Sequence, residues 1–417
     1  MSLNPFVEFI KAFQFPYKNR ELISRYQLRK LQEIVHHAYE NVPFYRQKYH
    51  GIDLTMSSLE DIQKLPVVTS RELRKCRIEE LTSEKANPQQ LLEMASAGTS
   101  GSPLRVKISK KENTLRQLNL LRFMLGYGWV PWWKVVYLTR EIPHEKYSFF
   151  QKLINKKKFD VDIHQPIEKQ VRQIKKIKPQ LLNGMPTGIE QIADWLIDHE
   201  EHLPGLRLLN TGGEVKKEHH VEKFNKAFGM PGLQRYGAWE LGIMGYSCTH
   251  CHELCINERA FLAEVVDDSY ISVKNGEQGK VLFTALNQYT TPLIRYETGD
   301  LITLSGSQDH CKTTYLHFKS IDGRDVDVLP LKDGRKLHAQ NLLHAALNIN
   351  GLKKIQLLLK KDGSLLVKYI VDNAISDETV RQEVIEVMHL EELDVNFERC
   401  SEIPNEPSGK YKFLKME

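Results

Sequence analysis

The feature that most limits how this chain can fold is a repeated order between residues 135 and 209: a short apolar run, an amphipathic helix, then another short apolar run. Val135-Val136-Tyr137-Leu138 is continuously apolar and suits a strand buried on both faces. Ile167, Val171, Ile174 and Ile177 recur at helical spacing and make one apolar face. Pro179 interrupts that pattern, and Leu181-Leu182 begins the next short strand. A helix around Ile189 to Ile197 leads to the strand Leu206-Arg207-Leu208-Leu209. A helix between consecutive strands allows them to run parallel, and strands apolar on both faces need helical cover. The order predicts an α/β fold of helix-covered β-sheets.

The flanking regions read differently. In the first ninety residues, Leu28, Leu31, Ile34, Val35 and Ala38 recur at helical spacing, closed by Val42-Pro43-Phe44, and the region reads as helical. From about Phe261 the pattern changes to strand pairs: Phe261 to Val266 and Lys280 to Ala285 flank the turn-rich Lys274-Asn275-Gly276. After Ile321-Asp322-Gly323-Arg324 the chain starts again. Leu329 to Leu331, a helix from Ala339 to Leu347, and strands Ile355 to Leu359 and Leu365 to Tyr369 describe a small α+β unit. The expected division is therefore 1–324 and 325–417, with no internal repeat.

Length and charge exclude some classes. A chain of 417 residues buries a large core in two or three units. A net charge of +5 leaves room for anionic ligands without pointing to nucleic acid. Lys156-Lys157-Lys158, and Lys175-Lys176 with Lys178, read as solvated helix faces. Met1 to Asn19 is amphipathic and lacks the apolar run of a secretory signal. The most apolar stretch, between Arg122 and Lys134, is too short to span a bilayer. The expectation is a cytoplasmic protein with no membrane span and no nucleic-acid partner, whose six cysteines are free or metal-bound.

The sharpest local signal is Ser96-Ala97-Gly98-Thr99-Ser100-Gly101-Ser102-Pro103. Hydroxyls and glycines in one run give a loop whose N–H and O–H donors can approach phosphate oxygens closely. It is no Walker A loop, because no Gly-Lys-Ser/Thr follows at the required spacing. Thr211-Gly212-Gly213-Glu214 and Tyr236-Gly237-Ala238-Trp239-Glu240 each follow a strand. Tyr296-Glu297-Thr298-Gly299-Asp300, Gly323-Arg324-Asp325 and Pro404-Asn405-Glu406-Pro407-Ser408-Gly409-Lys410 complete the set. Each is weak alone; their order and spacing together are strong.

This ordered set resembles the adenylate-forming (acyl-AMP) enzymes, most closely the branch of phenylacetate–CoA ligase with its capsule-biosynthesis CapK and coenzyme F390 synthetase-like relatives. The resemblance extends to Asn41-Val42-Pro43-Phe44-Tyr45-Arg46 and Leu65-Pro66-Val67-Val68-Thr69. It implies a large N-terminal adenylation domain and a small mobile C-terminal lid that swings near Arg324-Asp325. It also implies roles for particular residues. Ser96, Gly98, Thr99, Ser100 and Gly101 would hold the ATP phosphates, with Gly213, Glu214, Tyr236 and Gly237 around the adenine. Glu240 would hold Mg²⁺, Asp300 the ribose hydroxyls, and Arg324 a further ribose or phosphate contact. Lys410 would bridge the substrate carboxylate and the α-phosphate, and Gly184, Trp239 and Gly242 would line the acid pocket.

Two departures stand out. Ser102 occupies a slot that usually carries lysine, so the phosphate grip would be weaker or would come from Lys107, Lys110 or Lys111; Trp239 replaces the usual threonine. The implied reaction is ATP-dependent formation of an acyl-AMP, then transfer to an acceptor, coenzyme A by default. Transfer to an amine, a hydroxyl or a carrier protein is the alternative, and an inactive scaffold the lesser one. The family also implies a possible homodimer.

Cys248-x₂-Cys251-x₃-Cys255 with Cys311 has the composition of a structural four-ligand Zn²⁺ site, with His250 or His252 as possible substitutes. Such a site would clamp the Glu240 loop to the loop after Asp300. Cys76 and Cys400 are left as packing residues.

Overall fold

The computed structural model describes residues 5–95, 104–139, 157–248, 250–306, 311–324, 328–330, 336–339, 342, 345–346, 349, 351–371, 376–404 and 413–416. The chain forms two compact units: Met1–Thr298 with Ile302–Ser320, and Gly299–Leu301 with Ile321–Glu417.

The first unit opens with helices α1 (Pro5–Gln14), α2 (Arg20–Asn41) and α3 (Pro43–Lys48). Asn19 caps α2 by accepting from the Leu22 N–H, and Ile23, Leu31, Ile34, Val35 and Ala38 form its buried face. The region expected to be helical also contains a two-residue strand, β1 (Val68–Thr69), just after Pro66. Proline disfavours helix in the residue before it, and the extended chain pairs instead with a distant strand. Short helices α4 (Ser70–Leu73) and α5 (Ile78–Leu81) precede a hairpin, β2 (Leu91–Ala95) and β3 (Arg105–Ser109). Helix α6 (Lys110–Gly126) follows; Ser109 accepts from the Glu112 N–H, and Glu112 returns the bond to the Ser109 N–H.

Next comes the alternating core: β4 (Val135–Thr139), β5 (Lys158–Asp162), α7 (Ile167–Ile177), β6 (Leu181–Gly184), α8 (Pro186–Asp198), β7 (Leu208–Gly212), α9 (Glu218–Phe228) and β8 (Leu233–Ala238). Its five strands are parallel, in the order β8-β7-β6-β4-β5. Alternation explains their apolarity. Val136, Leu182 and Leu209 pack among Val171, Ile174, Ile189 and Phe224 of the three helices, while Val135, Leu181 and Leu208 face Met124 and Trp129. Burying each leucine contributes roughly 2 kcal/mol. Strand β7 starts at Leu208, two residues later than the sequence pattern suggests. The N–H groups of Arg207 and Leu208 share the Gln180 carbonyl, and Leu206 packs against the helix-side core instead.

Further strands extend the sheet to twelve: β9 (Gly242–Ser247), β10 (Leu254–Ile256), β11 (Phe261–Val266), β12 (Gln278–Ala285), β13 (Tyr296–Leu304) and β14 (His317–Arg324), with β1 pairing parallel to β13. The full order is β11-β12-β13-β14-β10-β9-β8-β7-β6-β4-β5.

The second unit carries a small hairpin of β15 (Val328–Pro330) and β16 (Lys336–His338), then β17 (Leu352–Leu359), β18 (Leu365–Val371), α10 (Asp377–Met388), β19 (Val395–Arg399) and β20 (Leu414–Met416). Its four-stranded sheet runs β19-β18-β17-β20. Val380, Val384 and Met388 of α10 pack on Leu357, Val367 and Tyr369. The helix expected over Ala339–Leu347 lies partly outside the described residues; Ala339, Leu342 and Ala346 are buried in the same core. The fold is thus α/β, with a large sheet and a smaller C-terminal α/β unit. Among the described residues, no helix is long and apolar enough to cross a membrane.

Candidate functional site

Gly184 sits opposite Thr211, and Gly212 opposite Arg235, so β6, β7 and β8 end side by side at one edge of the parallel sheet. Ligands of open α/β sheets bind outside the carboxyl ends of such strands. The segments carrying Gly184, Gly213-Glu214 and Trp239-Glu240 all leave the sheet there.

The turn after β8 is tight. Leu241 N–H donates to the Ala238 carbonyl at 3.2 Å, and β9 returns antiparallel from Gly242. A Cβ on Gly237 would lie 2.8 Å from the Gly242 carbonyl oxygen, which restricts that position to glycine. Trp239 stands at the tip with 60% of its surface exposed. Beside it, Glu240 accepts a 2.9 Å hydrogen bond from the Tyr296 hydroxyl. From α6, Arg116 donates to the Trp239 carbonyl at 3.1 Å and to the Glu240 carbonyl at 2.7 Å. Neither Tyr296 as the partner of Glu240 nor Arg116 is apparent in the sequence pattern. The available hint for Arg116 is its place one helical turn after Glu112, which completes the capping box of α6 with Ser109.

The neighbouring loops are tied together at Glu214. One of its carboxylate oxygens accepts from the Thr187 hydroxyl at 2.7 Å and from the Thr187 N–H at 3.3 Å, at the first turn of α8. The other is buried and has no hydrogen-bond partner among the described residues. Gly213 takes φ +83°, a conformation open to glycine. Burial pulls the nearby Lys217 down to about 8, with Glu190 and Glu214 opposing the shift. Tyr236 is buried, its ring 6.0 Å from that of Phe283, so it offers little of its face to a ligand. Gly184 is buried against Leu138, which a Cβ would meet at 3.0 Å. Asp300 is half-buried on β13. Ser96, Gly98, Thr99, Ser100, Gly101, Ser102 and Lys410 lie outside the described residues, as does the side chain of Arg324.

Away from that edge, Cys248, Cys251, Cys311 and His317 gather with their ligand atoms within 4.8 Å of one another. Cys248 and Cys311 Sγ are 3.3 Å apart. This group differs from the expected ligand set at one position. Cys255, on β10, is buried with its Sγ 3.8 Å from the Thr313 hydroxyl and 3.9 Å from that of Tyr246, and His317 completes the group instead. Register explains the exchange: Cys255 and His317 are directly opposite across β10 and β14, and the long imidazole reaches the thiols. Neither His250 nor His252 belongs to the group. Thr313 joins the two ends of the group: its hydroxyl lies 3.3 Å from His317 Nε2 and 3.2 Å from Cys311 Sγ. Three sulfurs and one imidazole fit a closed tetrahedral Zn²⁺ site. The spacing Cys311-x₅-His317 was the sequence signal for it.

A family profile described as the CapK C-terminal domain matches residues 329–417. A phenylacetate-coenzyme A ligase of Thermus thermophilus is 25% identical over 339 residues, covering 75% of this chain and 73% of the relative. Protein CapK of Staphylococcus aureus is 21% identical over 407 residues, covering 93% and 88%. Most of the chain is thus similar to phenylacetate-coenzyme A ligases and to CapK, and its C-terminal unit matches the CapK profile. The fold has solved counterparts among CoA ligases. A 2-hydroxyisobutyryl-CoA ligase, solved in the postadenylation state with R3-HIB-AMP, superposes with a TM-score of 0.80 at 17% identity, covering 97% of this chain and 91% of that one. In this chain, the glycine-bounded turn at Trp239-Glu240 and the Gly213-Glu214 loop lie where the parallel strands of the sheet end.

Proposed function

We propose that this chain activates a carboxylic acid as its acyl-AMP and then transfers the acyl group to coenzyme A. The observation that carries the reading is the Glu240 carboxylate, held by the Tyr296 hydroxyl at the carboxyl edge of the parallel sheet. An oxygen of the substrate carboxylate attacks the α-phosphorus of ATP, the bond to the β-phosphate oxygen breaks, and pyrophosphate leaves. The thiol of coenzyme A then attacks the acyl carbon, AMP departs with the former bond electrons, and the thiol proton passes to solvent.

Each residue has a task in this reading. Glu240 would hold Mg²⁺, which when bound offsets the negative charge on the phosphates. The Gly213-Glu214 loop forms the adenine side, its main chain able to approach closely because Gly213 lacks a Cβ. Asp300 accepts hydrogen bonds from the ribose hydroxyls, an arrangement suited to a carboxylate. Lys410 would neutralise charge as the two anions meet, and the C-terminal unit carrying it would move between half-reactions about the segment near Arg324. The exposed indole of Trp239 would form part of the acid pocket. Zn²⁺ at Cys248, Cys251, Cys311 and His317 would be structural, since four protein ligands leave no open position.

A second reading keeps the first half-reaction and changes the acceptor to an amine, a hydroxyl or a carrier protein. The CapK match over residues 329–417 favours it, because it falls on the unit read as moving between the two half-reactions. The test is acid-dependent exchange of pyrophosphate into ATP across a set of aryl, alkyl and hydroxy acids. Folded protein that exchanges with none of them overturns the adenylation reading. With an active acid in hand, hydroxamate formation without any thioester on adding coenzyme A overturns the first acceptor in favour of the second.

A further inference from the structure

Helix α6 reaches the candidate site through one side chain. The Arg116 guanidinium meets two consecutive carbonyls, those of Trp239 (3.1 Å) and Glu240 (2.7 Å), and also the Gln288 side-chain oxygen (2.7 Å). We propose that Arg116 is a positioning residue for adenylation: by holding both carbonyls of the turn it sets the direction in which the Glu240 carboxylate points. This rests on the reading of Glu240 given above.

Two carbonyls bound to one rigid, planar cation leave the intervening peptide planes little freedom to rotate. The Cα–Cβ direction of Glu240 is thereby fixed at its base, while the Tyr296 hydroxyl holds the far end of the same side chain. A lysine ammonium is a single point donor on a flexible stem and cannot reproduce the planar fork.

The surroundings are built around this cation. A Cβ at Gly242, which has φ +84°, would come within 3.2–3.4 Å of the Arg116 stem. That assigns Gly242 to making room for the guanidinium. Gln288 is itself held, donating to the Thr291 carbonyl at 2.7 Å. One turn earlier on α6, Glu112 accepts from the N–H groups of Tyr289 and Thr290 at 2.6 and 2.8 Å. The helix therefore anchors the 288–291 segment and braces the arginine against it. Burial pulls the Arg116 pKa down to about 10, with Glu112 and Glu240 opposing, so the group is charged at neutral pH.

The experiment compares the full-length parent with Arg116→Lys, Arg116→Gln and Gln288→Ala in acid-dependent pyrophosphate exchange, titrating Mg²⁺, ATP and acid separately. Both arginine variants should lose at least about tenfold in maximal rate per folded molecule. Half-saturation for Mg²⁺ should rise by about tenfold, as when the support of a metal ligand is removed. KM for the acid should stay near the parent value, and Gln288→Ala should move the same parameters less. A purely structural role predicts a lower melting temperature with unchanged rate and Mg²⁺ dependence per folded molecule. That result, or an Arg116→Lys protein matching the parent in both, overturns the inference alone. A parent inactive with every acid overturns the adenylation reading and this inference with it.

Discussion

The hydroxyl of Tyr296 donates a 2.9 Å hydrogen bond to the Glu240 carboxylate, joining two motifs 56 residues apart. The bond occupies one oxygen with a neutral donor and so orients the carboxylate without cancelling its charge. Removing the donor should be milder than removing the charge. Tyr296→Phe is expected to lower exchange by about tenfold, the value of one hydrogen bond to an ionised group. Glu240→Gln should lower it by about 100-fold or more. Equal effects from the two would mean that Tyr296 does more than orient.

Trp239 presents 60% of its surface at the tip of the turn. If the indole bounds the acid pocket, Trp239→Ala should admit acids larger than those the parent accepts. The expected result is a gain of about tenfold in kcat/KM for a bulky acid over a small one, from a few added apolar contacts. An unchanged preference order across the acids would remove Trp239 from the pocket.

Lys410 is assigned its role by its motif. Lys410→Ala should abolish acyl-AMP formation, by about 100-fold or more, while leaving the melting curve unchanged. Retained exchange would assign the bridging cation to another residue.

The thiol cluster makes a compositional prediction. Metal analysis should find about one Zn²⁺ per chain. Cys311→Ser or His317→Ala should lose the metal and lower thermal stability. Cys255→Ser should keep it, because Cys255 lies against Thr313 and Tyr246. Zinc lost equally from all three variants would restore Cys255 to the ligand set.

Glu190, on α8, offers a pH-dependent test independent of any activity. Burial raises its pKa, but hydrogen bonds and charge from His220 and Lys223 outweigh that and bring it down to about 2, from an ordinary value of 4.5. A depressed carboxylate stabilises the fold above its unfolded pKa, and this contribution fades as the pH falls through 4.5 towards 2. Glu190→Gln should cost about 2 kcal/mol at pH 7, the shift being discounted because Lys223 is partly exposed. The difference from the parent should shrink in acid denaturation profiles, and a constant difference down to pH 2 would remove Glu190 as its source.

The sequence alone determined the α/β class, because its runs state it locally. Leu181-Leu182 must face two sides at once, and Ile167, Val171 and Ile174 repeat at helical spacing, so parallel strands with helical cover are legible from composition and period. The motif order likewise pointed to Gly213, Glu214 and Glu240 as candidates, and cysteine spacing to Cys248, Cys251 and Cys311. What tertiary structure decided were pairings that no local pattern encodes. Arg116 looks like any helix arginine until α6 is laid beside the Trp239-Glu240 turn. His317 is one histidine among sixteen until β14 is registered against β10. Thr187 meets Glu214 because β6 and β7 end together. In each case the partners are brought within a few ångströms by strand register and helix packing. A hydrogen bond or metal–ligand bond falls away over that same short distance, whatever the separation along the chain.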